Sequence, residues 1–325
     1  MIILRIMSTL IFLTGCSWFE PPASPTPPPP DKHAMIIAKV QTYQRLAMES
    51  QDGISSLTGC DSLLWGSLMH YSGVPVEIDS YRAENKWFRN PSHACYPDNS
   101  RSTISRDQLT GLYYFILRES RLDLIEGLIR YAEDHGFIMG EGSIASTHFT
   151  VNMLALAGRI TYYLGGQSKY RHYPLIYPPG TERYHAHLQL LGIILVHKIA
   201  GEIPSNFLDR IEEHYTRNPR NGLAALLHAI YSGIPLDDVQ AILLDESLFP
   251  SDRLPTPSDR CGFYLWQYEA DQVAHDGKAL HWGPCDINEQ FGGVDFLFAA
   301  TLYLEEVERA KDNSSNISSR VRVRD

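Results

Sequence analysis

Basic residues are scarce in this chain and form no stripe: 28 lysines and arginines stand against 38 aspartates and glutamates, a formal net charge of −10. Neutralising nucleic-acid phosphates or an anionic lipid surface needs clustered Lys and Arg, so neither is expected as a partner. Cysteines number five and never fall in C-x-x-C spacing, which argues against a zinc site built from them. Strand-like alternation is rare. The G-x-S-x-G elbow, the phosphate loop, the dinucleotide fingerprint, the calcium loop and H-E-x-x-H are all missing, and several enzyme classes go with them. A glycosidase is untouched by those absences, because its paired carboxylates carry no local signature. What the chain does have is apolar matter, 44% of residues against 20% charged, enough to bury a sizeable core.

The N-terminus reads as an address. Met1 to Cys16, MIILRIMSTLIFLTGC, carries one positive charge at Arg5 and an apolar run that ends in small residues and is too short to cross a bilayer. Leu13-Thr14-Gly15-Cys16 resembles the lipobox of bacterial lipoproteins. That resemblance implies a signal peptide over residues 1–15, cleavage before Cys16, acylation of Cys16 and membrane anchoring. Ser17 in the next position resembles the outer-membrane sorting pattern, so the expected location is the bacterial outer membrane, facing the periplasm or the surface. Residues 16–32 then form a tether in which Pro21 to Pro30, PPASPTPPPP, would extend by about 3 Å per residue and hold the body about 30 Å from the membrane.

In an oxidising compartment the other four cysteines, Cys60, Cys95, Cys261 and Cys285, read as disulfides with three connectivities open. Sequence proximity favours Cys60–Cys95 and Cys261–Cys285, each worth about 2–4 kcal/mol.

Residues 33–310 read as one helical domain in which helical periodicity recurs between longer irregular segments, and 311–325 read as a disordered tail. Two helix types alternate. Arg101 to Arg118 holds a capping-box pattern, Ser105 and Gln108, followed by a helix apolar almost all round. Arg121 to His135 follows with one wet face. Tyr184 to Ala200 and Gly222 to Tyr231 are again apolar all round, and Asn206 to Arg217 and Leu236 to Asp245 again one-faced. His33 to Glu49, Cys60 to Tyr71, Thr147 to Leu164 and Phe291 to Val307 complete the set. Buried-type helices therefore start near residues 60, 106, 148, 185, 221 and 292, a spacing of roughly 36–46 residues until the last.

Inner helix followed by outer helix at this period predicts an all-α fold of stacked hairpins closed into an (α/α) toroid, with about six inner helices and two long disulfide-tied loops. The architecture is similar to the (α/α)6 toroids of glycoside hydrolases and polysaccharide lyases, although no catalytic motif of theirs is matched. The resemblance implies a carbohydrate ligand, such as a polysaccharide or peptidoglycan. Residues 74–104 and 166–182 are expected as loops where a toroid would place outer helices.

If the inner helices are parallel, their N-termini share one rim with the long loops, and helix dipoles make that rim attractive to anions and electron-rich oxygens. The candidate catalytic residues are Asp61, Arg106, Asp107, His148 and His185, and the candidate binding residues are Tyr184, His187, Asn221, Trp87, Trp266, Trp282 and Asp295. Each has a plainer alternative: the aspartates complement a dipole, Arg106 pairs with an aspartate, the histidines pack, and the tryptophans pin loops to the body. The H-x-H pair at 185 and 187 points to two faces of a helix, and no metal or cofactor is expected. The expectation is a membrane-anchored lipoprotein that binds a glycan and either cleaves it or leaves it intact. The alternative is a non-enzymatic envelope lipoprotein serving as an interaction or exclusion scaffold.

Overall fold

Helical periodicity becomes helix wherever it is strong. The computed structural model describes residues 30–49, 62–93, 103–140, 147–179, 183–217, 219–254 and 293–321. Ten α-helices occur among them: α1 Lys32–Glu49, α2 Ser62–Tyr71, α3 Arg106–Arg118, α4 Leu122–Asp134, α5 Val151–Tyr163, α6 Arg183–Ala200, α7 Leu208–Arg217, α8 Gly222–Ser232, α9 Asp237–Leu243 and α10 Val294–Val321. The class is all-α. Extended structure among the described residues comprises two short antiparallel pairs, Arg82–Ala83 (β1) with Lys86–Trp87 (β2) and Ile138–Gly140 (β3) with Thr147–His148 (β4), and one isolated bridge between Phe88 and Thr103. Lys32–Asp325 forms one compact unit. The five cysteines, and the disulfides expected of them, lie outside the described residues.

Three boundaries differ from the sequence expectation for local reasons. Thr147 and His148 pair as a strand, and α5 starts only at Val151, because the Thr150 hydroxyl caps it by accepting from the Met153 N–H. The Ser105–Gln108 capping box does not form. The Ser105 hydroxyl donates instead to the Asp107 carboxylate, a charged acceptor that outcompetes the box. Helix α10 continues to Val321 through the stretch expected to be unstructured, and no Gly or Pro interrupts it.

The two helix types differ in burial as their composition requires. In α3 every residue from Gln108 to Ile116 is buried, whereas α4 buries only Leu124, Ile125, Leu128, Ile129 and Ala132. The buried-type helices touch in sequence: α2 packs on α3, α3 on α5, α5 on α6, α6 on α8, α8 on α10 and α10 on α2. Of the amphipathic helices, α4 lies on α3 and α5, α7 on α8, α9 on α8 and α10, and α1 on α9 and α10. Gly111 lets α2 and α3 approach closely, since a Cβ there would stand 2.8 Å from the Leu64 Cα. Helix α5 is covered by a turn as well as by α4. The turn at Lys169–His172 lies there, so near that a Cβ on Gly158 would be 2.4 Å from the Arg171 nitrogen.

Inside the bundle, Tyr71, Tyr114 and Phe298 meet edge to face, with ring centroids 4.8–5.6 Å apart. Buried tyrosines must place their hydroxyls. The Tyr113 hydroxyl donates to the Met153 carbonyl of α5 at 2.9 Å, and that of Tyr114 to the Leu191 carbonyl of α6 at 2.7 Å. One helix thus fixes the rotation of two others.

The helices also share a direction. The start of α3 (Arg106, Asp107), the start of α5 (Asn152, Met153) and the N-terminal half of α6 (Leu188, Gln189) line one cavity. The ends of α2 (Tyr71), α3 (Arg118), α5 (Tyr163) and α6 (Lys198) line another, together with Glu305 and Arg309 of α10. Tyr231, near the end of α8, bonds His197 at this second end.

Candidate functional site at the N-terminal rim

The cavity at the N-terminal ends of α3, α5 and α6 measures about 690 Å³. Its walls are mixed. Met153, Leu156, Leu188 and Pro178 supply apolar surface, while Arg89, Arg106, Asp107, Thr110, Asn152 and Gln189 supply polar groups. That composition suits a ligand with both C–H and hydroxyl faces.

Arg106 and Asp107 owe their place to the first turn of α3. Arg106 is exposed and, among the described residues, its guanidinium makes no hydrogen bond or ion pair. Asp107 is half-buried and accepts from Ser105. Thr110, one turn on, returns its hydroxyl to the Arg106 carbonyl at 3.1 Å and so leaves the guanidinium alone. Arg89 arrives from the segment after β2, whose Arg89 carbonyl accepts from the Leu63 N–H at 3.1 Å and the Ser62 hydroxyl at 3.2 Å at the start of α2.

The far wall is a strap clipped to α5. The Asn152 amide imitates a strand partner, donating to the Ile176 carbonyl at 2.6 Å and accepting from the Ile176 N–H at 2.9 Å. Tyr177 follows, with its hydroxyl end buried against α6, where Gly192 leaves room: a Cβ there would be 2.0 Å from that oxygen. The hydroxyl has no hydrogen-bond partner among the described residues, and burial pushes the phenol's pKa well above its ordinary value.

Behind the cavity, Gln189 Oε1 faces His214 Nε2 at 3.1 Å, and Gln189 Nε2 donates to the Pro178 carbonyl at 3.3 Å. An amide oxygen only accepts, so His214 carries its proton on Nε2. Burial pushes the His214 pKa down to about 4, and the ring is neutral near pH 7.

Of the residues expected at this rim, Arg106 and Asp107 come together in the cavity. Others are elsewhere. His148 is exposed in β4 and is not part of the cavity wall. Asn221 is the N-cap of α8, its side chain accepting from the Leu223 and Ala224 N–H groups at 3.0 and 3.1 Å, so it has a structural task and offers little to a ligand. Asp295 is buried in the first turn of α10, where its carboxylate accepts from the Phe296 N–H at 3.0 Å. Trp87 is only 3% exposed, with the Arg82 guanidinium 5.7 Å from its ring centroid, and cannot offer a face to a sugar. Burial of its indole on the body decides its role as packing. Asp61, Trp266 and Trp282 lie outside the described residues. Tyr184, His185 and His187 fall in α6, but their side chains are likewise outside the described set.

The walls that sequence periodicity missed are Arg89, Asn152, Tyr177 and Gln189. Only Asn152, polar on an otherwise apolar helix, gave a signal. At the opposite rim a cavity of about 330 Å³ holds two adjacent carboxylates, Glu305 and Glu306. Both are occupied. Tyr71 donates to Glu305 at 3.0 Å and Lys198 pairs with it, while His197 at 3.0 Å and Arg309 hold Glu306. Burial opposes ionisation of Glu306, but the His197 hydrogen bond and the charges of His197 and Arg309 win and keep its carboxyl below the usual range.

Among the described residues no group of three or more His, Cys, Asp or Glu could hold a metal ion, and no helix is long and apolar enough to cross a membrane. Comparison with protein-family models, with curated proteins and with solved structures finds no match to this chain.

Proposed function

We propose that the chain is a lipid-anchored envelope protein whose helical domain closes into an (α/α) toroid and binds a glycan at the N-terminal rim. Closure is supported by the unbroken cycle of contacts from α2 through α3, α5, α6, α8 and α10 back to α2. The anchor is supported by Leu13-Thr14-Gly15-Cys16 and the proline tract behind it. The observation that carries the ligand is the cavity of about 690 Å³ shared by the starts of three parallel helices, with Arg106 and Asp107 above an apolar floor. A sugar ring has the same division, C–H groups on its faces and hydroxyls around its edge.

Binding is favoured over cleavage. A two-carboxylate mechanism needs an acid and a base or nucleophile roughly 5–10 Å apart, and Asp107 is the one carboxylate among the cavity's described walls. The carboxylate pair at the opposite rim is saturated by cations.

Two measurements test the proposal. Fractionation of cells carrying wild-type protein and Cys16→Ser tests the anchor: wild type should sediment with membranes and the variant should not. Incubation with peptidoglycan fragments and envelope polysaccharides, read by co-sedimentation and by a reducing-end assay, tests the ligand. Retention without new reducing ends is expected, and new ends that vanish in Asp107→Asn would make the protein a glycan-cleaving enzyme instead.

A further inference from the structure

The geometry points to residues 173–178 as a lid on the N-terminal-rim cavity: the strap turns about the Lys169–His172 turn, draws Tyr177 out of a slot over Gly192, and recloses on a bound glycan. Only the reclosing step rests on the glycan reading above.

The strap is fastened firmly at its start. Tyr170 is 2% exposed, its hydroxyl donates to Glu133 at 2.7 Å, and the backbone beside it lies where a Cβ on Gly158 would be. Beyond the turn the fastening is thin. Pro174 has no N–H to donate, and from Pro174 to Tyr177 the hydrogen bonds among the described residues are the two between the Ile176 backbone and the Asn152 amide. On either side, the Arg159 guanidinium holds the Tyr173 carbonyl at 3.1 Å and the Gln189 amide holds the Pro178 carbonyl at 3.3 Å. Each of these bonds involves a side chain that can turn away by itself, whereas the bonds of a helix or sheet break together.

Tyr177 is the peg that keeps the strap down, and it is a divided one. Its ring lies against Phe207, with centroids 4.9 Å apart, and enters the slot that Gly192 leaves in α6. Its hydroxyl is buried there with no hydrogen-bond partner among the described residues. The neighbours are spent: Arg159 on the Ala155 and Tyr173 carbonyls, and the Tyr114 hydroxyl on the Leu191 carbonyl. Ring burial therefore favours the closed strap, and the stranded hydroxyl, which water would satisfy, opposes it. Such a segment opens locally while the bundle stays folded. Because Tyr177 and Pro178 line the cavity, opening removes one of its walls and leaves a cleft along α5 and α6 that a glycan can enter from the side.

Thiol labelling of the full chain under native conditions, read by mass spectrometry of the labelled peptide, tests the lid without a ligand. Leu175→Cys reports on the strap, and Ala157→Cys, at a fully buried position of α5, on the bundle. The strap thiol should react at least about a hundredfold faster than the bundle thiol. Added to Leu175→Cys, Tyr177→Phe deletes only the stranded hydroxyl and should slow labelling about fivefold. Gly192→Ala, whose Cβ would stand 2.0 Å from the Tyr177 hydroxyl, should instead speed it at least about tenfold. Equal labelling of the two thiols would overturn the lid, as would a Tyr177→Phe strap that reacts as fast as before or a Gly192→Ala strap that reacts no faster. Peptidoglycan fragments and envelope polysaccharides are then added. A retained glycan should slow strap labelling at least about tenfold, and one that is retained without slowing it would overturn the reclosing step. Retention of no glycan, with the ligand-free shifts as expected, would overturn the glycan reading and leave the lid standing.

Discussion

Arg106 and Arg309 sit at opposite ends of one set of parallel helices, and each lines a cavity. Arg309 is clasped by Glu306, which also holds a His197 that is 2% exposed; Arg106 faces open volume with no partner among the described residues. The same residue type thus serves two ends differently. At the C-terminal rim the helix dipoles are negative, cations are drawn in, and those cations are in turn neutralised by Glu305 and Glu306, so the charge closes on itself and fastens α10 to α6. At the N-terminal rim the dipoles and the Arg106 guanidinium have the same sign, and among the described residues no carboxylate pairs with Arg106. A folded chain tolerates that only where water or a ligand reaches the charge.

The largest way to break this contrast is at the closed end. Glu306→Leu should leave His197 and Arg309 without their acceptor and cost about 3 kcal/mol or more in urea unfolding, with sugar binding unchanged. A loss below about 1 kcal/mol would mean that the network does not fasten the bundle.

A pH experiment comes next. His214 has a folded pKa near 4, below the ordinary value of 6.5. Its contribution is present above pH 6.5 and is lost as pH falls toward 4, because the unfolded chain takes up the proton first. Between pH 6.5 and 4.5, before carboxylates such as Glu306 titrate, stability should fall by about 2–3 kcal/mol, and His214→Gln should flatten that slope. A slope of the same size in the variant would assign it to another group.

Smaller effects sharpen the comparison. Tyr114→Phe removes a buried hydroxyl that ties α3 to α6 midway between the rims and should cost about 1 kcal/mol, seen as a lower urea midpoint. Arg106→Gln should change stability by less than about 0.5 kcal/mol while weakening glycan retention, the reverse of Glu306→Leu.

How much of this was legible before the fold was seen follows from what periodicity can report. Helices announce which residues face inward, so α1 to α9 were expected near their observed bounds and α10 only as far as Val307, and the parallel inner set followed from the alternation of helix types. Local competition was not visible. Nothing in the spacing of Ser105, Asp107 and Gln108 said that a carboxylate would take the hydroxyl from the capping box. Asn221 and Asp295 looked like site residues because caps and sites favour the same polar side chains at helix starts, and only the bonds each one makes separate the two. The strap carrying Tyr177 and the Arg89 segment were invisible for another reason: irregular backbone has no period, and its position depends on clips such as Asn152 to Ile176 that join residues 24 apart in the chain. The closed rim had a signal that went unread, since Glu305, Glu306 and Arg309 are adjacent charges on a helix otherwise apolar through Leu304.

Hydrogen–deuterium exchange on the full chain, with and without saturating peptidoglycan fragments or envelope polysaccharide, bears most directly on the claim that the N-terminal rim is the open one. Slowed exchange confined to the first turns of α3 and α5, the strap around Tyr177 and the N-terminal half of α6 is the predicted result. Slowed exchange around Tyr71, Arg118, Tyr163 and Lys198 instead would contradict it.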